Sequence, residues 1–212
     1  MKLTKLLKTI AISVCLAASF AIAGLAMVGC GGGNNPEDKN DKTEEIKQAA
    51  SAAVDFLNAA KENGGNYYST SEYSDGSVYK YYTADGKMKI EYNGELFYGV
   101  KVGNSLYKIS QADDMTWHKT NDFSELGDPV ARTDNLINSI NKTSKLSLWT
   151  DYDSDTKTLT ATYSDETVTV KLDAGVLVIT YNWITGTTKH TIQNVGDVAI
   201  TLPENIIDDT EY

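Results

Sequence analysis

The sequence predicts an α+β fold in which two runs of antiparallel strands are separated by a helix and preceded by another helix. Three observations predict it. Two segments repeat apolar residues at helical spacing, about a dozen short segments alternate apolar and polar residues, and Asp-Gly or Asn-Gly pairs separate several of the short segments. Alternation interrupted by such tight turns is typical of antiparallel hairpins, and a helical apolar stripe is typical of a helix that buries one face.

The first helix is expected at about residues 43–62. Ile46, Leu57 and several alanines between them repeat at helical spacing, so they form one apolar stripe. Asp41 and Glu44 have the spacing of a capping box, and the glycine pair at 64–65 favours a helix end.

Six strands are predicted after this helix, in an antiparallel meander. The Asp-Gly and Asn-Gly pairs favour two-residue hairpin turns between them. We interpret Met88 and Ile90 as sharing one apolar face with Tyr98 and Val100. The predicted strands are Tyr67–Tyr73, Ser77–Thr83, Lys87–Tyr92, Leu96–Val102, Ser105–Ser110 and Met115–Lys119.

A second helix is expected at about residues 133–142, where Leu136, Ile137 and Ile140 repeat at helical spacing. Six more alternating segments follow it, so the folded domain is predicted to span 43–207, with an acidic tail at 208–212. The predicted strands of this second run are Leu146–Tyr152, Lys157–Tyr163, Glu166–Leu172, Gly175–Tyr181, 187–193 and Val198–Leu202.

The N-terminal segment has the pattern of an export signal. Three lysines precede an apolar run at 9–28, and Met27-Val28-Gly29-Cys30 follows, although Met27 stands where Leu is more usual. This tetrad resembles the lipobox of bacterial lipoproteins. The resemblance implies cleavage of a signal peptide at 1–29, attachment of lipid to Cys30, a flexible tether at 30–42, and a place on the extracytoplasmic face of the cell membrane. An uncleaved membrane anchor and ordinary secretion are the alternatives.

Charge and cysteine content exclude several classes of protein. Without residues 1–29, which hold three lysines and no acid, the chain has 16 basic and 29 acidic residues and a formal charge of −13. Such an acidic surface is unsuited to nucleic acid, which requires basic grooves. Because Cys15 and Cys30 are the only cysteines, the predicted domain can form neither a disulfide nor a thiolate metal site.

No arrangement of residues indicates catalysis or metal binding. Asp151-Tyr152-Asp153-Ser154-Asp155 begins like a calcium loop, but the glycine and the glutamate that this loop needs are missing further on. The two histidines, His118 and His190, have no ligand spacing around them. We therefore expect no enzyme activity, no metal and no cofactor.

The layout of the whole domain resembles that of the lipoprotein carriers LolA and LolB and of the mycobacterial lipoproteins LppX and LprG. The resemblance covers nearly all of 43–207, from the single helix to the closing Val198-Ala199-Ile200-Thr201-Leu202-Pro203. It implies a single, strongly curved antiparallel sheet of about 11 strands, an unclosed barrel with both helices on its concave face. In that superfamily the space between sheet and helices holds acyl chains.

We therefore hypothesise a membrane-anchored protein that binds a lipid or the acyl chains of a lipoprotein in a cavity between sheet and helices, because two short helices cannot fill the concave side of such a sheet. A non-catalytic protein-interaction module with a filled core is the alternative, and we expect a monomer in either case. The candidate lining residues are Leu57, Tyr98, Val100, Met115, Trp117, Ile140, Leu146, Leu148, Val168, Val170, Val176 and Val178.

Overall fold

The computed structural model describes residues 37–210 except 63, 64, 104, 122–128 and 146, and the side chains of 37–41 and 129–131 are likewise outside the description. The described chain is α+β, with two helices and one large, mostly antiparallel, unclosed sheet of 12 strands. The helices are α1 (Glu37–Glu62) and α2 (Pro129–Lys145).

Eleven strands follow the predicted order, and the twelfth is formed by a different segment at the end of the chain. The first run is β1 (Tyr67–Tyr73), β2 (Val78–Ala84), β3 (Lys87–Tyr92), β4 (Glu95–Val102), β5 (Ser105–Gln111) and β6 (Trp117–Thr120). The second run is β7 (Trp149–Asp153), β8 (Thr158–Tyr163), β9 (Glu166–Asp173), β10 (Val176–Trp183), β11 (Gly186–Gln193) and β12 (Ile206–Asp208).

Both helices are longer than predicted. α1 begins at Glu37, so residues 37–42 of the predicted tether are helical and the capping box at Asp41 lies inside the helix. Pro36 and the acidic residues that follow it explain the earlier start, since proline and acidic side chains favour the first turn of a helix.

The sheet consists of two antiparallel meanders, β1–β6 and β7–β11, which are joined by the pairing of β1 with β11, and of β12, which adds to β6 at one edge. Its order is β12-β6-β5-β4-β3-β2-β1-β11-β10-β9-β8-β7, so β1 of the first meander lies beside β11 of the second. They pair antiparallel, from Tyr68 opposite Gln193 to Tyr73 opposite Thr188. β7 and β12 are therefore the two edges of the sheet.

The predicted distribution of side chains between the two faces is wrong for β4. Tyr92 pairs with Glu95 across the Asn93-Gly94 turn, so Ile90 lies opposite Phe97. Because paired residues share a face, a two-residue turn makes even-numbered residues of β3 share their face with odd-numbered residues of β4. Tyr98 and Val100 therefore lie on the face opposite Met88 and Ile90.

The helices pack on one face of the second meander and of β1, which we call the helix face. From α1, Ala53, Leu57 and Ala60 are fully buried there, and Ile140 of α2 is 2% exposed. The sheet contributes to this core the side chains of Tyr67, Trp149, Leu159, Ala161, Val170, Leu177, Ile179 and Ile192. The small residues on α1 allow the helix to approach the sheet closely. A separate, smaller cluster lies on the first meander around Met88 and Ile90.

The end of the chain differs from its prediction. Residues 198–202 form no strand, and Ile206–Asp208 instead pairs parallel to β6, from Ile206 opposite Trp117 to Asp208 opposite Lys119. The predicted acidic tail therefore begins inside the sheet. Asp208 accepts a hydrogen bond from Lys119 Nζ at 2.8 Å, and Asp209 Oδ2 lies 2.6 Å from His118 Nδ1.

Replacement of Leu57 by alanine tests the core under the helices. Removal of a fully buried leucine side chain leaves a cavity, so Leu57→Ala should lower the free energy of unfolding by about 2–5 kcal/mol in denaturant titration. Val102 is 57% exposed, so Val102→Ala should stay within about 0.5 kcal/mol of the parent. Equal losses in both variants would contradict this assignment of the core.

Candidate functional site

The centre of the helix face is filled by side chains. Three of the predicted lining residues, Leu57, Ile140 and Val170, are buried within the core cluster and contact other apolar side chains. They act as core residues at the middle of the helix–sheet interface. Hollows remain at the edge of the helix layer, one on either side of the C-terminal half of α2.

The larger hollow, which we call the interhelical groove, lies between α1, α2 and the start of β7. Its volume is about 460 Å³. Apolar side chains from the α1 stripe and from β7 meet there with polar groups of α2 and of the turn that follows it. The lining residues are Thr43, Ile46, Lys47, Ala50, Ser51, Val54, Asn141, Ser144, Ser147 and Trp149.

Hydrogen bonds position the aromatic wall of this groove. Trp149 Nε1 donates to Ser144 Oγ at 3.0 Å, and Ser144 Oγ in turn donates to the Ile140 carbonyl at 3.0 Å. The indole is 8% exposed, so it is held between the core and the groove. The wall is therefore fixed before any ligand arrives, which lowers the entropic cost of binding.

The entrance of the groove carries charge on α1. Lys47 lies 3.8 Å from Glu44, one turn away on the same helix, and Lys42 lies 2.7 Å from Asp151 of β7. The hydrogen bond and the charge of Lys42 lower the pKa of Asp151, and those of Asp151 raise the pKa of Lys42. Both groups are therefore ionised at neutral pH and connect α1 to the edge of the sheet.

The smaller hollow, which we call the rim pocket, has a volume of about 200 Å³. Tyr181 forms part of its wall, donates a hydrogen bond to Ser139 Oγ at 3.2 Å and stacks on Trp183 with 5.4 Å between ring centroids. Burial raises the pKa of Tyr181. The lining residues are Ser139, Lys142, Thr143, Leu148, Ala161, Tyr163, Glu166, Val168, Tyr181 and Trp183.

The predicted lining residues are divided among several places. Leu148 and Val168 line the rim pocket, and Leu146 lies outside the described residues. Met115 is 70% exposed in the turn between β5 and β6. Five of the predicted lining residues cannot share a cavity with Leu148 and Val168, because strand register places them on the face of the sheet opposite the helices. They are Tyr98, Val100, Trp117, Val176 and Val178.

Trp117 and Tyr98 illustrate this correction. Their rings form an edge contact, with centroids 5.5 Å apart, on the face that carries no helix. Similarly, Val176 pairs with Asp173 across a two-residue turn, so Val178 shares its face with Lys171 and not with Val170. The alternation within each strand was predicted correctly. The prediction of one continuous lining failed for these residues because it overlooked that, across a two-residue turn, even-numbered residues of one strand share a face with odd-numbered residues of the next.

A polar bridge joins α2 to the boundary between the two meanders. Arg132 donates a hydrogen bond to Ser71 Oγ and lies over the Tyr81 ring, with 3.8 Å from its Cζ to the ring centroid. Ser71 Oγ lies 2.8 Å from Nδ1 of His190, its partner on β11. Although serine beside histidine suggests a nucleophile, Ser71 is fully buried, so a substrate cannot reach it in this conformation.

Burial and the nearby Arg132 guanidinium lower the pKa of His190 to about 4. The imidazole is therefore neutral at neutral pH, which suits a histidine that shares a buried serine hydroxyl with an arginine. The bridge thus stabilises the interface between α2, β1 and β11.

The described residues contain no group of three His, Cys, Asp or Glu side chains that could hold a metal ion. Asp153, from the calcium-like segment, accepts hydrogen bonds from the backbone N–H groups of Asp155 at 2.9 Å and Thr156 at 3.2 Å. These bonds, made by an exposed side chain, are typical of a carboxylate that stabilises a turn.

The groove residues could be found in part from the sequence. Ile46, Ala50 and Val54 belong to the predicted apolar stripe of α1, although their place at the edge of the helix layer was not predictable from periodicity. Trp149 lies in a predicted strand, but its position at the wall of a groove was not predicted. Cys30 and the apolar run at 9–28 lie outside the described residues, and no helix within the described residues is long and apolar enough to cross a bilayer.

No protein-family model, no curated protein and no solved structure matches this chain.

The lowered pKa of His190 predicts a pH dependence of stability. Between about pH 6.5 and pH 4 the unfolded state binds a proton that the folded state does not, so the free energy of unfolding should fall as the pH is lowered through this window. Replacement of His190 by glutamine should flatten that dependence in urea titrations at a series of pH values.

The matched control is His118→Gln, which removes the other histidine of the chain. The dependence that His190 causes should persist in this control. If the free energy of unfolding changed with pH as steeply in His190→Gln as in the parent between pH 4 and pH 6.5, His190 would not be the cause of the pH dependence.

Proposed function

We propose that this protein is a lipid-anchored, extracytoplasmic binding protein that takes an apolar chain of a lipid, or of an acylated protein, into the interhelical groove. The observation that carries the proposal is a groove of about 460 Å³ with an apolar floor and a fixed tryptophan wall. This volume lies within the range of about 300–1,000 Å³ that is typical of small-molecule sites.

The chemistry of the lining supports an amphipathic ligand. Ile46, Val54 and Trp149 offer apolar surface, whereas Lys47 and Asn141 offer hydrogen-bond donors at the same groove. An apolar chain would bury against Ile46, Val54 and Trp149, and a polar head group would remain near Lys47 and Asn141. Burial of apolar surface contributes about 25 cal/mol per Å², so one alkyl chain is enough for measurable binding.

The finer architecture belongs to the same proposal. An unclosed, mostly antiparallel sheet with two helices on one of its faces is consistent with the half-barrel that the resemblance to the LolA-like carriers implies. We infer that the sheet curves around the helices. The described structure nevertheless has 12 strands, because β12 adds to β6 in parallel at one edge.

A second candidate function is a non-catalytic protein-interaction module, and the filled centre of the helix face favours it. Such a module needs no cavity and uses exposed apolar side chains. Trp183 and Ile184 are exposed to 43% and 79%, respectively, so the chain offers such surface as well. Ligand binding in the groove distinguishes the two functions.

Lipid attachment is tested at Cys30. When the full-length gene is expressed in bacteria fed an alkyne-labelled fatty acid, the parent protein should carry the label and partition with membranes. Cys30→Ala should carry none, because its side chain has no thiol to acylate. As a control, Cys15→Ala, within the predicted signal peptide, should be labelled like the parent. Equal labelling of Cys30→Ala and the parent would refute the proposed anchor.

Ligand binding is tested by obstructing the groove. Ser51 is an exposed residue of α1 that lines the groove, so Ser51→Trp should fill the groove without disturbing the core. We expect at least about a tenfold weaker affinity for a fluorescent fatty acid, which corresponds to 1.4 kcal/mol.

The matched control is Ala52→Trp, since Ala52 is the next exposed residue and does not line the groove. It should bind the fatty acid like the parent. Absence of fatty-acid binding by the parent would remove the proposed function and favour the interaction module.

A further inference from the structure

Exposed apolar side chains are concentrated at one end of the sheet. Among the described residues, eight large hydrophobic side chains are exposed. Six of them lie at the end where β1, β3, β5, β8 and β10 finish and the following strands begin. They are Tyr73, Val78, Met115, Tyr163, Trp183 and Ile184. We call this set the aromatic rim; the remaining two, Val102 and Ile207, lie elsewhere.

Strand direction establishes that the six side chains share one end. Tyr73 ends β1, and antiparallel pairing places Gly186 at the start of β11, near the same end. Trp183, which ends β10, pairs with Gly186, and Tyr163, which ends β8, pairs with Glu166 at the start of β9. The hairpins β1–β2, β10–β11 and β8–β9 are therefore consecutive at this end.

The rim is held by ring contacts and close packing. Tyr73 meets Tyr79 edge to face at 5.8 Å, and Trp183 stacks on Tyr181 with an interplanar angle of 1°. A Cβ on Gly186 would lie 2.9 Å from Ser74 Cβ, so the β10–β11 hairpin approaches the β1–β2 turn closely. Neighbouring rings and the close approach of the two hairpins therefore position Tyr73 and Trp183 at this end of the sheet.

The residue types indicate what this surface contacts. Tryptophan and tyrosine are enriched where proteins meet the interface of a bilayer, and isoleucine, valine and methionine add apolar area. The five turns of the rim contain no lysine or arginine and carry four acids, namely Asp75, Asp113, Asp114 and Asp165. The turns themselves therefore offer no basic group to anionic lipid, and a zwitterionic lipid surface suits them better.

The direction of α1 brings the lipid anchor to the same end. α1 leads into β1 at the far end of the sheet, and its other half, with Thr43 and Ile46, shares the interhelical groove with Trp149 at the rim end of β7. Cys30 precedes Glu37 by seven residues, which span at most about 25 Å when extended. The lipid anchor proposed above for Cys30 would therefore leave this end of the sheet within reach of the membrane.

We propose that the aromatic rim docks on the zwitterionic lipid surface to which the chain is anchored, so that the interhelical groove and the rim pocket open toward the bilayer. The inference rests on the anchor in the proposed function and adds an orientation to it. It assigns the rim pocket, walled by Tyr163 and Trp183, to the membrane interface, where lipid can exchange with the groove without crossing water.

The experiment uses the full lipidated protein in phosphatidylcholine vesicles. Spin labels are placed at Thr185→Cys, in a rim turn, and at Ser154→Cys, in a turn at the opposite end of the sheet; both positions are exposed. Accessibility to oxygen and to a water-soluble nickel complex gives the depth of each label. We expect the Thr185 label at the headgroup level or up to about 10 Å into the interface, and the Ser154 label in water.

Two further comparisons identify the cause. Combined replacement of Trp183 and Ile184 by serine should return the Thr185 label to water while the protein stays anchored. Vesicles containing phosphatidylglycerol should reduce the depth of the label in the parent, because the rim acids are repelled.

The outcomes separate this inference from the proposed function. A protein that remains on the vesicles with both labels equally exposed to water would overturn the docking of the rim and leave the anchor intact. A Thr185 label whose depth is unchanged by the two serine replacements would also overturn it. A chain that fails to associate with vesicles because Cys30 carries no lipid would remove the anchor and, with it, the inference.

Discussion

The pairing of β1 with β11 is the interaction on which the rest of the structure depends. It joins the antiparallel meander β1–β6 to the antiparallel meander β7–β11 and connects residues more than 110 positions apart. α1 and α2 pack mainly on the second meander and β1, so this ladder carries the first meander beside the core, with the contact of Arg132 on Tyr81 and the pairing of β12 with β6 as further links. Such long-range pairing forms late in folding, because the loop that it closes costs entropy before any contact stabilises it.

The polar bridge lies at this same boundary. Ser71 is on β1, its partner His190 is on β11, and Arg132 of α2 donates a hydrogen bond to Ser71. A serine–histidine pair that would suggest catalysis elsewhere thus connects three elements where the two meanders meet. The neutral imidazole fits this role, because a second cation beside Arg132 would be repelled.

Local patterns predicted most of the fold, but the faces of two strands and the position of the last strand were predicted wrongly. Eleven of the strands were located because alternation and Asn-Gly or Asp-Gly turns are local signals. Faces were misassigned for Tyr98 and Val178, although the two-residue turns contained the information needed. β12 was missed because three residues carry no periodicity and its partner, β6, is nearly 90 residues away.

The candidate site was predictable to a smaller extent. The apolar stripe of α1 contained Ile46 and Val54, yet a stripe does not reveal which of its residues face a core and which face a groove. That distinction depends on the angle at which α1 crosses the sheet, and the angle is set by tertiary packing. The aromatic rim was likewise hidden, since its members are scattered along the sequence and meet only through the order of the hairpins.

The two edges of the sheet have a consequence for how copies of the chain coexist. The unpaired backbone groups at the edge of an open sheet can pair with a strand of another molecule, and such pairing becomes more frequent when many molecules share one surface. β12 offers only three residues, and β7 carries a bulge between Trp149 and Asp151 together with the carboxylate of Asp153. Neither edge is a long, flat template, so neither favours the addition of a strand from a second molecule.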